Sequence, residues 1–170
     1  KATTKIMIKQ KSRRYIETGS WDMFSTKEYR DFYLNLKKKL GIVGETHVSY
    51  LSLDNEVIAT HWGLVSSDTF YYLMPTYEGD GWERFSPGKL LLEFLLKWSL
   101  ENNLKVFDLT VGDELYKKRW SNKTSPIYEH ISPVSFYGKI YVFAKELKEY
   151  IKRIPVLGRS VKRIFNFFRN

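Results

Sequence analysis

The chain has 170 residues, 43% hydrophobic and 16% aromatic, enough for one domain with a sizeable core. It has no cysteine, which excludes disulfides, thiolate metal sites and cysteine nucleophiles; its three histidines, His47, His61 and His130, lack ligand-like spacing, so no metal is expected. The net charge of +9 sits at the ends: residues 1–16 hold six basic side chains and no acid, residues 145–170 eight basic and two acidic, and residues 17–144 carry −3. Basic arms on a mildly acidic body point away from nucleic acid and toward a membrane, a partner or another part of the same chain.

No signal peptide or apolar run of spanning length is visible, so the piece reads as cytoplasmic, with a peripheral contact at the inner face of a membrane left open. Residues 1–19 start in mid-pattern without a methionine and are read as the basic remnant of an upstream region. Lys5-Ile-Met-Ile8 fits a short strand or edge segment. From Ser25-Thr26 a helix is predicted, with Tyr29, Phe32, Tyr33, Leu36 and Leu40 on one face and Gly41 as its stop. Alternation then predicts an antiparallel meander over residues 48–53, 56–65 and 69–77, with turns at Asp54-Asn55 and Ser66-Ser67-Asp68.

The stretch from Ser86 to Trp120 organises the rest. Ser86 suits a capping hydroxyl, Pro87 the first helical position, and Gly88 leaves a bare amide. Leu91, Leu92, Leu95, Leu96 and Trp98 make a broad apolar face that packs on a sheet. Residues 105–110 read as a strand and residues 113–120 as a short helix. A free helix start beside strand ends suits an anion, and the alternative is an ordinary capped helix. Residues 126–131 and 134–136 read as closing strands. Ile140, Phe143, Ala144, Leu147, Ile151 and Ile154 form an amphipathic stripe that Pro155 and Gly158 break, and Val161, Ile164, Phe165 and Phe168 begin a second. Such basic helices (139–170) suit either an anionic membrane surface or docking on a neighbouring domain or subunit, and a homo-oligomer stays open.

Two linked motifs carry a resemblance. Ser86-Pro87-Gly88-Lys89-Leu90-Leu91, followed by Phe107-Asp108-Leu109-Thr110-Val111-Gly112-Asp113-Glu114-Leu115-Tyr116-Lys117 and closing at Trp120, resembles the GNAT acetyltransferase superfamily. More narrowly it is similar to the cellulose- or capsule-biosynthesis branch, related to Fem-type aminoacyltransferases. The resemblance implies an α+β fold over residues 20–138, a mixed and mostly antiparallel sheet with flanking helices. It also implies an acyl-CoA-dependent acyltransferase acting on a cell-envelope sugar or polysaccharide precursor in bacteria.

Residue by residue, it implies phosphate binding by Arg84, Ser86, Gly88, Lys89 and Leu90, although the stretch has one glycine where the superfamily's phosphate loop has two. Pro87 also removes an amide, so another acyl donor stays open. Among Leu73, Met74 and Pro75, Met74 is the expected amide for the acyl carbonyl, because Pro75 has none. Tyr116 is the expected acid for the leaving thiolate. Asp108 is either a base or a partner of Lys117, and His61 either faces the acceptor or is packed. Tyr77 and Trp82 are expected to line the acceptor pocket, and Lys117 and Trp120 belong to the motif without an assigned step. Transfer from charged tRNA, and a catalytically silent fold used for attachment, are the competing readings.

Overall fold

The computed structural model describes residues 1–36, 40–41, 44–79 and 81–153, the last without the side chains at 148–149 and 151–153. Ala2–Glu17 is a helix, α1, where a short strand was expected at residues 5–8. Thr4, Met7, Ile8 and Gln10 form its buried side. Two of those four are polar, which hides the helical period from a reading based on apolar residues. Gln10 is satisfied inside: its amide donates to the Val57 carbonyl at 3.1 Å, and its side-chain oxygen accepts the Thr60 hydroxyl at 2.8 Å. That bridge ties α1 to the strand containing both residues. A 3-10 turn at Met23–Ser25, capped by the Asp22 carboxylate, buries Phe24 and leads into α2, Lys27–Asn35. α2 is shorter than expected, because Leu36 turns extended at ψ 126°. Residues 37–39 of the expected helix lie outside the described residues.

β1 (Glu45–Leu53), β2 (Glu56–Ser66) and β3 (Thr69–Tyr77) form the predicted antiparallel meander. Asp54, Asn55 and Ser67 take the positive φ that such tight turns require. α3 (Pro87–Glu101) crosses to β4 (Val106–Asp108), which pairs parallel to β3. The sheet order is β1-β2-β3-β4, so the fold is α+β with a mixed, mostly antiparallel sheet. Alternation along β2 splits the core in two. Ala59 packs with Phe70, Tyr72, Leu91, Leu92, Leu95 and Leu109 under α3. Trp62 packs with Met7, Ile8 and Phe24 under α1.

α4, Leu115–Trp120, stands close to where the sequence predicts it. The closing strands expected at 126–131 and 134–136 do not form; among the described residues no strand follows β4. Ile127, Tyr128 and Val134 are exposed, so nothing there supplies the buried face a strand needs. Residues 1–122 and 123–170 are separate compact units. The second contains α5, Phe136–Arg153, which carries the predicted stripe with Ile140, Phe143 and Leu147 exposed. Ile154 and the second stripe lie outside the described residues. Among the described residues, no helix is long and apolar enough to cross a membrane.

Candidate active site

β3 and β4 pair only at Thr69–Val106, Phe70–Phe107 and Tyr71–Asp108, and then part. Two features force the parting. On β3, Tyr72 and Leu73 have no partner in β2, because the register slips between Trp62 and Leu64 and leaves two residues opposite Gly63. This is a bulge, and Gly63 permits it: a Cβ there would strike the Tyr71 carbonyl and the His61 ring. On the other side the chain bends away at Thr110, a β-branched residue at φ 61°. The Asp108 carboxylate accepts the Thr110 amide at 2.7 Å, and the Thr110 hydroxyl donates to the Tyr72 carbonyl at 3.1 Å. Asp108 therefore fixes the turn through Thr110. It does not pair with Lys117, which bonds the Val111 carbonyl at 2.7 Å and Glu114 at 3.1 Å.

The bulge reassigns the candidate amide. The Glu78 amide donates to Ile58 at 2.8 Å, and counting back in twos turns Thr76 and Met74 toward β2 as well. Met74 is thus directed into the ladder rather than the gap. Of the two residues without a β2 partner, Leu73 adjoins Met74, and counting back in twos from Pro75 turns its amide away from β2 toward the gap.

The start of α3 also differs in detail from the sequence reading. Ser86 sits at the cap with φ 51° and ψ 49°, and its hydroxyl makes no capping bond. Its carbonyl instead takes the Lys89 and Leu90 amides, at 2.9 and 3.2 Å. Two of the three amides expected to bind phosphate, those of Lys89 and Leu90, are engaged there, and the Gly88 amide makes neither bond. Positive charge remains: Arg84 lies over the Phe85 ring, 4.7 Å from its centroid, and Lys89 lies 6.0 Å from that of Trp120. Gly88 abuts Tyr77, whose ring would be 3.3 Å from an added Cβ and holds the Arg14 guanidinium 6.0 Å from its centroid. Trp82 lies against Phe85, 5.8 Å between centroids, just ahead of the helix. The end of β3, the start of α3 and the end of α4 therefore meet at one edge of the sheet. The residues suit a phosphate-bearing donor through charge, the helix dipole and one glycine amide, a smaller donor set than a two-glycine loop offers.

Tyr116 belongs to this edge. Burial raises its pKa, Glu114 adds to the rise, and the Tyr116 hydroxyl in turn helps raise the pKa of buried Tyr72. A phenol so placed stays protonated at neutral pH and has a proton to give. His61 does not join it. Its ring is fully buried, stacked on Tyr72 at 4.7 Å and 6° between planes, and both ring nitrogens lack a partner. Burial, helped by His47, holds its pKa well below 6.5. In this conformation it cannot touch an acceptor.

One residue at this edge escaped the sequence reading. Lys11 reaches from α1 and donates to the Pro75 carbonyl at 3.1 Å. Its only signal in sequence is a lysine among lysines and arginines, and helical phase was needed to place it. Among the described residues no cluster of three or more His, Asp or Glu is arranged to hold a metal.

Comparison with known families agrees with this geometry. A family model described as an acetyltransferase (GNAT) domain matches residues 1–118, which takes in α1, the whole sheet, α3 and the first four residues of α4. No curated protein and no solved structure matches the chain. With most of its length matched by that model, this chain belongs to the GNAT acetyltransferase domain family.

Proposed function

We propose that the domain transfers an acyl group, most simply acetyl, from acyl-CoA to an amine or hydroxyl of a cell-envelope sugar or polysaccharide precursor. The observation that carries the reaction class is the parting of β3 and β4 at a bulge, beside the start of α3. A gap between parallel strands frees backbone amides for an acyl carbonyl, and the helix start favours its carrier's phosphates. Acyl-CoA supplies the activated thioester. Arg84, Lys89 and the Gly88 amide would hold the phosphates, the Leu73 amide would meet the carbonyl oxygen, and Tyr116 would protonate the departing sulfur. Lys117 and Gly112 set Tyr116 in place: Lys117 closes on Val111 and Glu114, and a Cβ at Gly112 would strike Glu114. Half-buried Trp82 and exposed Phe85 at this edge suit a sugar face, and that supports the choice of acceptor class.

The test is transfer of labelled acetyl from acetyl-CoA to purified envelope polysaccharides and their nucleotide-sugar precursors, with small amines as controls. Label should enter a glycan fraction, and Tyr116→Phe should lower the rate about a hundredfold or more while CoA still binds. Label in small amines alone would replace the acceptor class. Unchanged transfer by Tyr116→Phe would remove the tyrosine from the proton step.

A further inference from the structure

We propose that Lys11 takes the proton from the acceptor during acyl transfer, its amine standing on the edge of β3 that β4 has left. The inference rests on the acyl-CoA reading above and supplies the base that reading lacks. Pro75 alternates with Met74 and Thr76, so its carbonyl turns away from β2 toward the gap, and Lys11 meets it there at 3.1 Å. Two residues on, Arg13 donates to the Tyr77 carbonyl at 2.6 Å. Side chains of α1 thus occupy the edge carbonyls that a continuing strand would have paired.

The two cations are not equivalent. Arg13 is balanced by Glu17 and Glu78. Among the described residues no carboxylate lies at ion-pair distance from Lys11. Its electrostatic surroundings are Arg14 on its own helix, and Glu114 and Lys117 at the start of α4; the Tyr15 ring lies 5.6 Å away. Burial lowers the Lys11 pKa, Arg14 and Lys117 lower it further, and Glu114 opposes them. The amine is therefore nearer to neutrality than an exposed lysine, and one hydrogen bond to Pro75 leaves its lone pair free. The other candidates are committed: His61 is enclosed, Asp108 holds the Thr110 amide, and Glu114 pairs with Lys117.

The step balances. As the acceptor nitrogen or oxygen attacks the thioester carbonyl, a C–N or C–O bond forms and the neutral Lys11 amine takes the acceptor's proton. The C–S bond breaks with its electron pair on sulfur, and the Tyr116 hydroxyl protonates the thiolate. The lysine ammonium and the phenolate then exchange their proton through solvent.

The experiment uses bromoacetyl-CoA on the full chain, with peptide mapping by mass spectrometry, so no acceptor needs to be known. A donor seated in the gap presents its bromomethyl carbon to the base, and the Lys11 amine displaces bromide. Labelling at Lys11 that excess CoA suppresses, with a rate that rises with pH and levels off below 10.5, is the expected result. Lys11→Arg should keep CoA affinity and lower acyl transfer about a hundredfold or more; full activity in this variant would reduce Lys11 to an edge contact. Labelling that CoA suppresses at other residues but not at Lys11 overturns the proposal and leaves the acyl-CoA reading standing. Lys11 labelling that CoA does not slow also overturns it. Absence of any CoA-protected labelling, together with absence of CoA binding, removes the acyl-CoA reading and this proposal with it.

Discussion

His61 sits between Thr60 and Trp62 on β2, and strand alternation puts it under α3 rather than toward a substrate. A neutral imidazole enclosed with Phe70 and Tyr72 has a consequence for stability. Its folded pKa lies well below the 6.5 of the unfolded chain, so below pH 6.5 the unfolded state binds a proton that the native state refuses. The stability is therefore complete above 6.5 and is lost as pH falls toward the folded value, by at most roughly 1.4 kcal/mol per pH unit for one proton. Urea midpoints measured from pH 7.5 to 5 should fall more steeply for the wild type than for His61→Phe. Equal slopes would mean that His61 titrates in the native state. Asp108 teaches the same lesson at a different site: a carboxylate in an apolar strand looks available for chemistry, yet it secures Thr110 in a strained turn.

At the scale of elements, the bulge and the turn at Thr110 together open the gap, and each depends on a small set of residues. Gly63→Ala should close the space the bulge needs, because the new Cβ meets the Tyr71 carbonyl, which cannot swing aside. The expected cost is roughly 1–3 kcal/mol with weakened CoA binding, read by urea unfolding and calorimetry on one sample. Wild-type stability and affinity would mean that the bulge is not needed. The meander, α3 and β4 were legible in sequence because their signals are local: period-two alternation, two-residue turns, and Pro87 at a helix start. α1 was not, since Thr4 and Gln10 hold half its buried face and the partner of Gln10, Thr60 on β2, is 50 residues away. The closing strands expected at residues 126–131 and 134–136 do not form, because β-branched and aromatic residues there are exposed and have no face to bury. Within the candidate site, the features legible in sequence were the start of α3 at Pro87 and Gly88 and the short helix that carries Tyr116. The bulge beside Leu73 and the helix phase that sets Lys11 at the sheet edge were not legible, because both are fixed by tertiary pairing.

For the molecule as a whole, charge and fold are distributed differently. Six of the basic residues lie in residues 1–16, and α1 uses that charge at the sheet edge, where Lys11 and Arg13 meet β3 carbonyls. This part of the excess charge therefore works within the acyltransferase unit. The unit of residues 123–170 is different, with an amphipathic helix whose apolar side chains are exposed. For the first unit, the proposed donor is an acyl-CoA whose phosphates would lie at the start of α3. Calorimetric titration of CoA into the full chain tests it most directly, with Gly88→Ala and Gly88→Asp beside the wild type. The alanine presses Tyr77 by a few tenths of an ångström and should cost little, whereas the aspartate adds a negative charge beside the phosphates and should weaken binding about tenfold or more. Saturable binding lost with aspartate and kept with alanine is the predicted result. Equal affinity in all three proteins, or no binding by folded wild type, would contradict the account.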